Sequence, residues 1–149
     1  MRDPVTILVV DDSAVFRVAL TRALAHEPGL RVIGSVASAQ AARDFIAVRR
    51  PDVIALDIEM PGENGLEFLK AQMASDPIRT VVISSLTARG TRTTIAALEA
   101  GAIDVAAKPT LLRRSEGPSD GVADIAMRLR AAASARLVGG RAAPGTAFA

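Results

Sequence analysis

Five short segments rich in apolar residues recur along the chain, each close to turn-forming residues. A continuous apolar run, such as 53–56, indicates a strand that is buried on both faces of a sheet. Between the runs, apolar residues recur at helical spacing, as Val15, Val18, Ala19 and Leu20 do in the first interval. The predicted strands are 6–10, 30–36, 53–57, 80–84 and 103–107, and the predicted helices are 13–26, 39–49, 66–73, 90–100 and 122–137.

Strands that alternate with helices predict an α/β fold, in which a doubly wound parallel sheet carries helices on both faces. Ligands of such sheets bind beyond the carboxyl ends of the strands, where the strand order reverses. Four of the five predicted strands end in polar residues, namely Asp11 and Asp12, Asp57, Ser84 and Lys108. We therefore expect these side chains to form one site.

The residue types in this set favour a hard cation and a phosphate. Oxygen ligands suit Mg²⁺, or Mn²⁺ in its place, and we expect Asp12 and Asp57 to bind it, with Asp11 acting through a metal-bound water. A carboxylate can also be the nucleophile of phosphoryl transfer, and Asp57 is the predicted acceptor. Lys108 then supplies a point charge to a phosphate oxygen, and Ser84 a hydroxyl donor.

Each of these residues also has a purely structural explanation. Asp11 and Asp12 could cap the first helix, Asp57 could form a turn, Lys108 could be an exposed loop residue, and Ser84 could bond to the backbone. Taken singly, these explanations are the simpler ones. Their joint placement at successive strand ends favours a common site.

Composition narrows the function classes. The 149 residues are 50% hydrophobic, which suits one folded domain, expected over 1–137, followed by a tail or linker over 138–149. No apolar run approaches the roughly 20 residues of a membrane helix, so we expect no membrane insertion. Cysteine is absent, which fits a cytoplasmic location. Without Trp or Tyr there is no stacking platform for single-stranded nucleic acid, and we expect no direct nucleic-acid binding.

Four motifs resemble those of the receiver (CheY-like) domain of bacterial two-component response regulators, over about 6–137. The resemblance implies a flavodoxin-like (βα)5 three-layer sandwich with strand order 2-1-3-4-5. It also implies that Asp57 is phosphorylated by a histidine kinase. The motifs are Ile7-Leu8-Val9-Val10-Asp11-Asp12-Ser13, Leu56-Asp57-Ile58-Glu59-Met60-Pro61 with Gly65-Leu66, Val82-Ile83-Ser84-Ser85, and Gly101-Ala102 through Lys108-Pro109.

Among receivers, the chain is similar to the N-terminal domain of the chemotaxis protein-glutamate methylesterase CheB. That resemblance implies a CheA-like histidine kinase as phosphodonor and Mg²⁺ held by Asp12, Asp57 and the backbone carbonyl of Glu59. It implies a cis peptide before Pro109. It also implies an output face formed by the fourth helix, fifth strand and fifth helix. The implied phosphate-contacting and switch residues are Ser84, Ser85 and Lys108.

Two departures from the family pattern stand out. Receivers usually carry an aromatic residue three positions before the lysine, and here that position is Val105. We also expect no methylesterase site. A G-x-S-x-G nucleophile turn is not expected, and the only histidine, His26, lies in the first predicted helix. The chain is then either a regulatory fragment of a methylesterase or a stand-alone receiver.

Three other function classes compete with a phosphoacceptor. An acidic-metal phosphotransferase or hydrolase would use the same carboxylates on an external substrate, but no lid or substrate domain is recognisable. A nucleotide-binding module is disfavoured because both G-x-G-x-x-G and G-x-x-x-x-G-K-[ST] are missing. A DNA-binding regulator is disfavoured because nothing after Leu137 predicts a helix-turn-helix.

Overall fold

A computed structural model describes residues 3–60, 64–85, 92–109 and 120–135. Strands and helices alternate throughout, as predicted, and most of their ends lie within two residues of the predicted positions. The predicted domain boundary at 137 falls outside the described residues. In chain order the elements are β1 Val5–Val10, α1 Ala14–Leu24, β2 Leu30–Val36, α2 Ala39–Val48, β3 Val53–Asp57, α3 Gly65–Ser75, β4 Arg79–Ser84, α4 Arg92–Glu99, β5 Asp104–Ala107 and α5 Asp120–Ser134.

The five strands form one parallel sheet in the order β2-β1-β3-β4-β5, which confirms the predicted fold and topology. The order reverses between β1 and β3, where Val10 pairs with Leu56. All five residues of β3 are buried, because this strand lies at the centre of the sheet with a helical layer on each face. The carboxyl ends of β1 and β3 therefore lie side by side at the switch point.

The helices divide into two layers, and each layer covers one face of the sheet. On one face, α1 and α5 bury a cluster that includes Leu20, Leu24, Ile125 and Leu129. On the other face, α2, α3 and α4 bury a second cluster, represented by Ala42, Phe68, Leu69 and Ala97. Alternate residues of the buried strands point into one cluster or the other, as the two-residue period of a strand requires.

Local sequence explains where several helices begin and end. Ser13 and Ser38 accept backbone hydrogen bonds at the starts of α1 and α2. Asn64 and Glu67 form a reciprocal capping box at the start of α3. After α4, Gly101 has a φ of 119°. Its N–H donates to the carbonyl oxygen of Leu98 and that of Ala102 to the carbonyl oxygen of Ala97, as in a Schellman motif, where glycine adopts a positive φ without a Cβ clash.

The buried face of α1 differs from the one that the sequence pattern suggested. Val15 and Val18 are 58% and 51% exposed, whereas Phe16, Leu20 and Leu24 are buried. The buried set follows an i, i+4, i+8 spacing, which marks one side of a helix as well as the predicted set does. The packing of α1 against β1 and α5 selects between the two, and it turns Phe16 inward.

No helix among the described residues combines the length and the apolar character needed to cross a membrane.

Candidate functional site

The predicted site residues meet at the carboxyl edge of the sheet. Asp11 follows β1, Asp57 is the last residue of β3, Ser84 is the last residue of β4, and Lys108 follows β5. One oxygen from each of Asp11, Asp12 and Asp57 lies within 4.8 Å of the others, so the three carboxylates could hold a metal ion. Asp11 and Asp57 are buried, while Asp12 is exposed.

Lys108 supplies the positive charge of the cluster. Its Nζ lies 3.0 Å from Oδ2 of Asp11 and 3.7 Å from Oδ2 of Asp57, so the ammonium contacts Asp11 more closely than Asp57. The Lys108 N–H donates to the carbonyl oxygen of Ser84 at 2.8 Å. This backbone hydrogen bond continues the pairing of β4 with β5 by one residue, and it holds the start of the lysine side chain at the edge of the sheet.

Hydrogen bonds from the start of α1 hold Asp11 in place. Its Oδ1 accepts a hydrogen bond from the N–H of Ser13 at 2.8 Å, and its carbonyl oxygen accepts one from Nη1 of Arg17 at 2.6 Å. With Oδ2 paired to Lys108, both carboxylate oxygens of Asp11 already have partners. Asp11 is therefore less available to a metal than the exposed Asp12.

Asp57 is 2% exposed, and its carboxyl group holds a proton more tightly than an ordinary aspartate does. Burial raises the pKa of its carboxyl from 3.8 to about 7. The N–H of Glu59, which donates to Oδ1 at 3.0 Å, lowers this pKa, as does Lys108, while the charges of Asp11 and Asp12 raise it. A cation bound to the cluster would favour the ionised carboxylate, because it opposes both the burial and the like charges.

The pKa of Lys108 responds to the same environment. Burial lowers it, but the contact with Asp11 and the charges of Asp57 and Asp12 outweigh burial and raise the pKa above 10.5. The ammonium therefore stays charged at any physiological pH, and it offsets part of the negative charge of the three carboxylates.

Two serines stand at the end of β4. Ser84 is fully buried, and its Oγ has no hydrogen-bond partner among the described residues. A buried hydroxyl without a partner is costly, so it is suited to a group that arrives from outside. Ser85 donates from its Oγ to Oε2 of Glu59 at 3.2 Å, which joins β4 to the loop after β3.

The glycine at the start of α3 lets that helix approach Asp57. A Cβ on Gly65 would lie 2.5 Å from the carbonyl oxygen of Asp57 and 2.6 Å from the Cα of Ile58. Backbone atoms cannot yield at such distances, so only glycine allows α3 to pack this closely. The tight approach shapes the loop that carries the Glu59 carbonyl.

Comparison with known proteins decides the family of this site. Residues 7–115 match the model of the response regulator receiver domain, and this range contains every strand end described above. The chain belongs to the response regulator receiver domain family. Its three carboxylates, its lysine and its buried serine are the residues that the motif resemblance singled out.

Relatives of this receiver include much longer proteins. The protein-glutamate methylesterase/protein-glutamine glutaminase 2 of Cereibacter sphaeroides is 47% identical over 131 residues, which make up 88% of this chain and 36% of that protein. Its counterpart in Pseudomonas aeruginosa is 45% identical over 90% of this chain and 38% of its own length. The chain thus spans little more than a third of these relatives.

Two solved structures share the fold of this chain and are similar to it in sequence. The response regulator domain of Thermotoga maritima CheB has a TM-score of 0.74 and 35% identity, over 89% of this chain and 98% of that domain. The crystal structure of the P1 domain of CheA3 in complex with CheY6 from R. sphaeroides contains a chain with a TM-score of 0.74 and 30% identity, over 90% of this receiver and 100% of that chain.

Two expectations near the end of β5 have different outcomes. Val105 is buried in β5, beside Val82 of β4, at the position where receivers usually carry an aromatic residue. The cis peptide expected before Pro109 is wrong, because the described residues contain no cis peptide bond. The trans form is the more stable form of X-Pro bonds, and in it Pro109 packs against Gly121 of α5.

The sequence itself contradicts a third expectation. Gly117-Pro118-Ser119-Asp120-Gly121 does match the letters G-x-S-x-G, so the expected absence of that pattern is wrong. A nucleophile turn joins a strand sharply to a helix, whereas residues 108–119 separate β5 from α5. Residues 117–119 lie outside the described part of the chain. With His26 as the only histidine, just after α1, the receiver still offers no described Ser-His-Asp triad.

Two residues of the receiver site escaped prediction. The ring of Phe16 lies 4.5 Å from Nζ of Lys108, measured to the ring centroid, and Arg17 donates to the carbonyl oxygen of Asp11. Both lie in the first turns of α1, which packs over the end of β1. Their only sequence signal is their distance from Asp11, five and six residues, which brings side chains of the first helix back towards the strand end.

Proposed function

We propose that this receiver accepts a phosphoryl group on Asp57 from the phosphohistidine of a CheA-like kinase, in chemotaxis signalling. The observation that carries the proposal is the buried carboxylate of Asp57, which lies in one cluster with two further carboxylates and 3.7 Å from Nζ of Lys108. Phosphoryl transfer needs positioning and charge neutralisation more than covalent chemistry, and these groups supply both.

The transfer is a displacement at phosphorus. An oxygen of the ionised Asp57 carboxylate forms a bond to the phosphorus as the bond from phosphorus to the donor histidine nitrogen breaks. The nitrogen keeps the electron pair of the broken bond, and because the other ring nitrogen carries a proton, the ring leaves as neutral imidazole. No further reactant is needed, and the product is an aspartyl phosphate.

The acidic cluster fits Mg²⁺, with Mn²⁺ as a substitute. We assign Asp12, Asp57 and the backbone carbonyl of Glu59 as its ligands, because both oxygens of Asp11 are already engaged by Ser13 and Lys108. Asp11 would contact the ion through a water. The donor set is entirely oxygen, as Mg²⁺ prefers, and the ion supplies charge neutralisation for the phosphoryl oxygens.

Lys108 and Ser84 complete the phosphorylated site. Before transfer, Lys108 lies closer to Asp11 than to Asp57, and a phosphoryl group on Asp57 gives its ammonium a more highly charged partner. Ser84 then donates its unpartnered hydroxyl to a phosphoryl oxygen. Ser85, the next residue, is the second serine that we assign as a phosphate-contacting or switch residue.

The relatives support a proposal for the partners. The kinase is supported by the similarity to a chain from a structure of a CheA3 P1 domain in complex with CheY6. The output is either a methylesterase domain, as the names of the longer relatives indicate, or a separate protein. We propose that it uses the face formed by α4, β5 and α5. Binding of the kinase and output partners takes place in the cytoplasm, without direct nucleic-acid contact or membrane insertion.

The test is labelling by phosphoramidate, a small phosphodonor, followed by intact-mass spectrometry. We expect one phosphoryl group per chain with Mg²⁺ and none with a chelator. Asp57→Asn should abolish labelling because it removes the acceptor oxygen. The control is Asp44→Asn, the same substitution at an exposed position of α2, and this variant should be labelled as the wild type is.

Three results would decide against the proposal. Unlabelled wild type, or equal labelling of Asp57→Asn, would remove Asp57 as the acceptor. Multiple-turnover release of phosphate from external phosphoesters, without a stoichiometric phosphoprotein, would instead support an acidic-metal hydrolase.

A further inference from the structure

The ammonium of Lys108 has a third neighbour besides its two carboxylates. Phe16, in the first turn of α1, is 8% exposed, and its ring centroid lies 4.5 Å from Nζ. The N–H of Phe16 donates to Oγ of the cap residue Ser13 at 3.1 Å. The backbone that carries the ring is therefore fixed by the same helix start whose Ser13 N–H binds Asp11.

The ring differs from the carboxylates in what it can do to the ammonium. Its face carries partial negative charge and attracts a cation, yet it takes up no proton and binds no metal. Asp11 and Asp57 both compete for Nζ, at 3.0 Å and 3.7 Å. Both carboxylate contacts change when a carboxylate takes up a proton or a metal ion, whereas the ring undergoes neither change.

This contact matters because Lys108 must change partners. In the present geometry Nζ is closer to Asp11 than to Asp57, and a phosphoryl oxygen on Asp57 requires it to turn away from Asp11. The side chain of Lys108 is 25% exposed, so solvent is open to it as an alternative. A ring beside the ammonium limits how far the lysine side chain can move into water.

We propose that Phe16 is a positioning residue for phosphoryl transfer, whose ring holds the ammonium of Lys108 between Asp11 and the phosphoryl group on Asp57. The inference rests on the proposed function and adds a residue to it. The competing explanation is packing alone, since Phe16 also belongs to the apolar cluster with Leu20 and Leu24. The experiment has to separate the aromatic contact from the packing.

The first readout is spectroscopic and needs no phosphorylation. Protons beside an aromatic face resonate upfield, so the ε-methylene protons of Lys108 should be shifted upfield in the NMR spectrum of the metal-free wild type. Phe16→Leu should remove that shift, and Phe16→Tyr should retain it. Phe68→Leu, the same substitution in the cluster on the other face of the sheet, should leave the shift unchanged.

The second readout is the rate of labelling by phosphoramidate with Mg²⁺. Phe16→Leu should lower this rate about threefold to tenfold, the range that a partly desolvated cation–π contact supports. In a Lys108→Ala background the same substitution should change the rate less than about twofold, because the ammonium is gone. Phe16→Tyr should restore the wild-type rate, and Phe68→Leu should keep it.

The outcomes distinguish the positioning role of Phe16 from phosphoryl transfer to Asp57. Equal losses from Phe16→Leu with and without Lys108 would leave only packing and overturn the positioning role, as would an unshifted Lys108 resonance in the wild type. If the wild type is not labelled at all, the proposed function fails and the positioning role fails with it. The NMR shift would then still show whether the contact exists.

Discussion

Asp57 brings a negative charge to the most buried strand of the molecule. Its Oδ1 accepts one hydrogen bond, from the N–H of Glu59, and its Oδ2 lies 3.7 Å from the ammonium of Lys108, while two further carboxylates repel it. The result is a pKa near 7 in the metal-free protein, in which the folded state holds a proton that the unfolded chain releases near pH 3.8. The ionised carboxylate of Asp57 therefore destabilises the metal-free fold, and a bound cation would offset this cost.

This proton affinity predicts how stability changes with pH. Below about pH 4 both states of metal-free wild type are protonated at Asp57, and no penalty arises. Between pH 4 and 7 only the unfolded state releases its proton, so the free energy of unfolding falls as pH rises and levels off above pH 7. Asp57→Asn lacks this loss, and we expect it to be more stable than wild type at pH 8 by on the order of 2 kcal/mol.

Urea unfolding with a chelator present would measure this difference. The gap between Asp57→Asn and wild type should close as the pH is lowered from 8 towards 4, and Asp44→Asn should follow the wild-type curve throughout. Parallel curves for wild type and Asp57→Asn would show that the carboxyl of Asp57 ionises normally in the folded protein.

Elements were predictable from the chain to different degrees. Apolar segments located every strand, and because parallel strands end at one edge, the polar residues at the ends of four of the five strands located the site. The orientation of α1 was not predictable, since Val15 and Val18 form as good a helical stripe as Phe16 and Leu20. That choice depends on packing against other elements. Because the sequence did not show that Phe16 faces inward, it could not predict the contact between Phe16 and Lys108 either.

The start of α3 gives a prediction at the scale of one element. Replacing glycine by alanine inside a helix normally stabilises it by about 1 kcal/mol. Gly65→Ala should do the opposite and cost about 1–3 kcal/mol, because the new Cβ would lie 2.5 Å from the carbonyl oxygen of Asp57. It should also slow labelling with phosphoramidate, since the displaced segment is the one that carries Glu59.

Thermal unfolding and the labelling rate together test this. The control is Ala71→Gly, the reverse substitution at an exposed position of the same helix. It should lower stability by about 1 kcal/mol, because glycine has a lower helix propensity than alanine, and leave the labelling rate as in the wild type. A Gly65→Ala protein that is more stable than the wild type and labels normally would show that the loop after β3 relaxes freely.

The acidic site forms only in the folded protein. Its residues come from the ends of four strands and from α1, and they are brought together by a sheet whose order reverses between β1 and β3. A cation that binds this cluster binds the folded state alone, so it should stabilise every element that the sheet joins. The two core clusters on opposite faces should therefore respond together.

Mg²⁺ should accordingly raise the unfolding midpoint of the receiver, and the effect should depend on pH. At a hundredfold excess over the dissociation constant the gain is about 2.7 kcal/mol. At pH 8 Asp57 is ionised and free to bind, but below its pKa of about 7 the ion must displace a proton, so its apparent affinity should fall about tenfold per pH unit. Asp57→Asn and Asp12→Asn should lose most of the gain, whereas Asp44→Asn should keep it. An equal Mg²⁺ response at pH 5.5 and pH 8, or a full response in Asp57→Asn, would place the ion away from the acidic cluster.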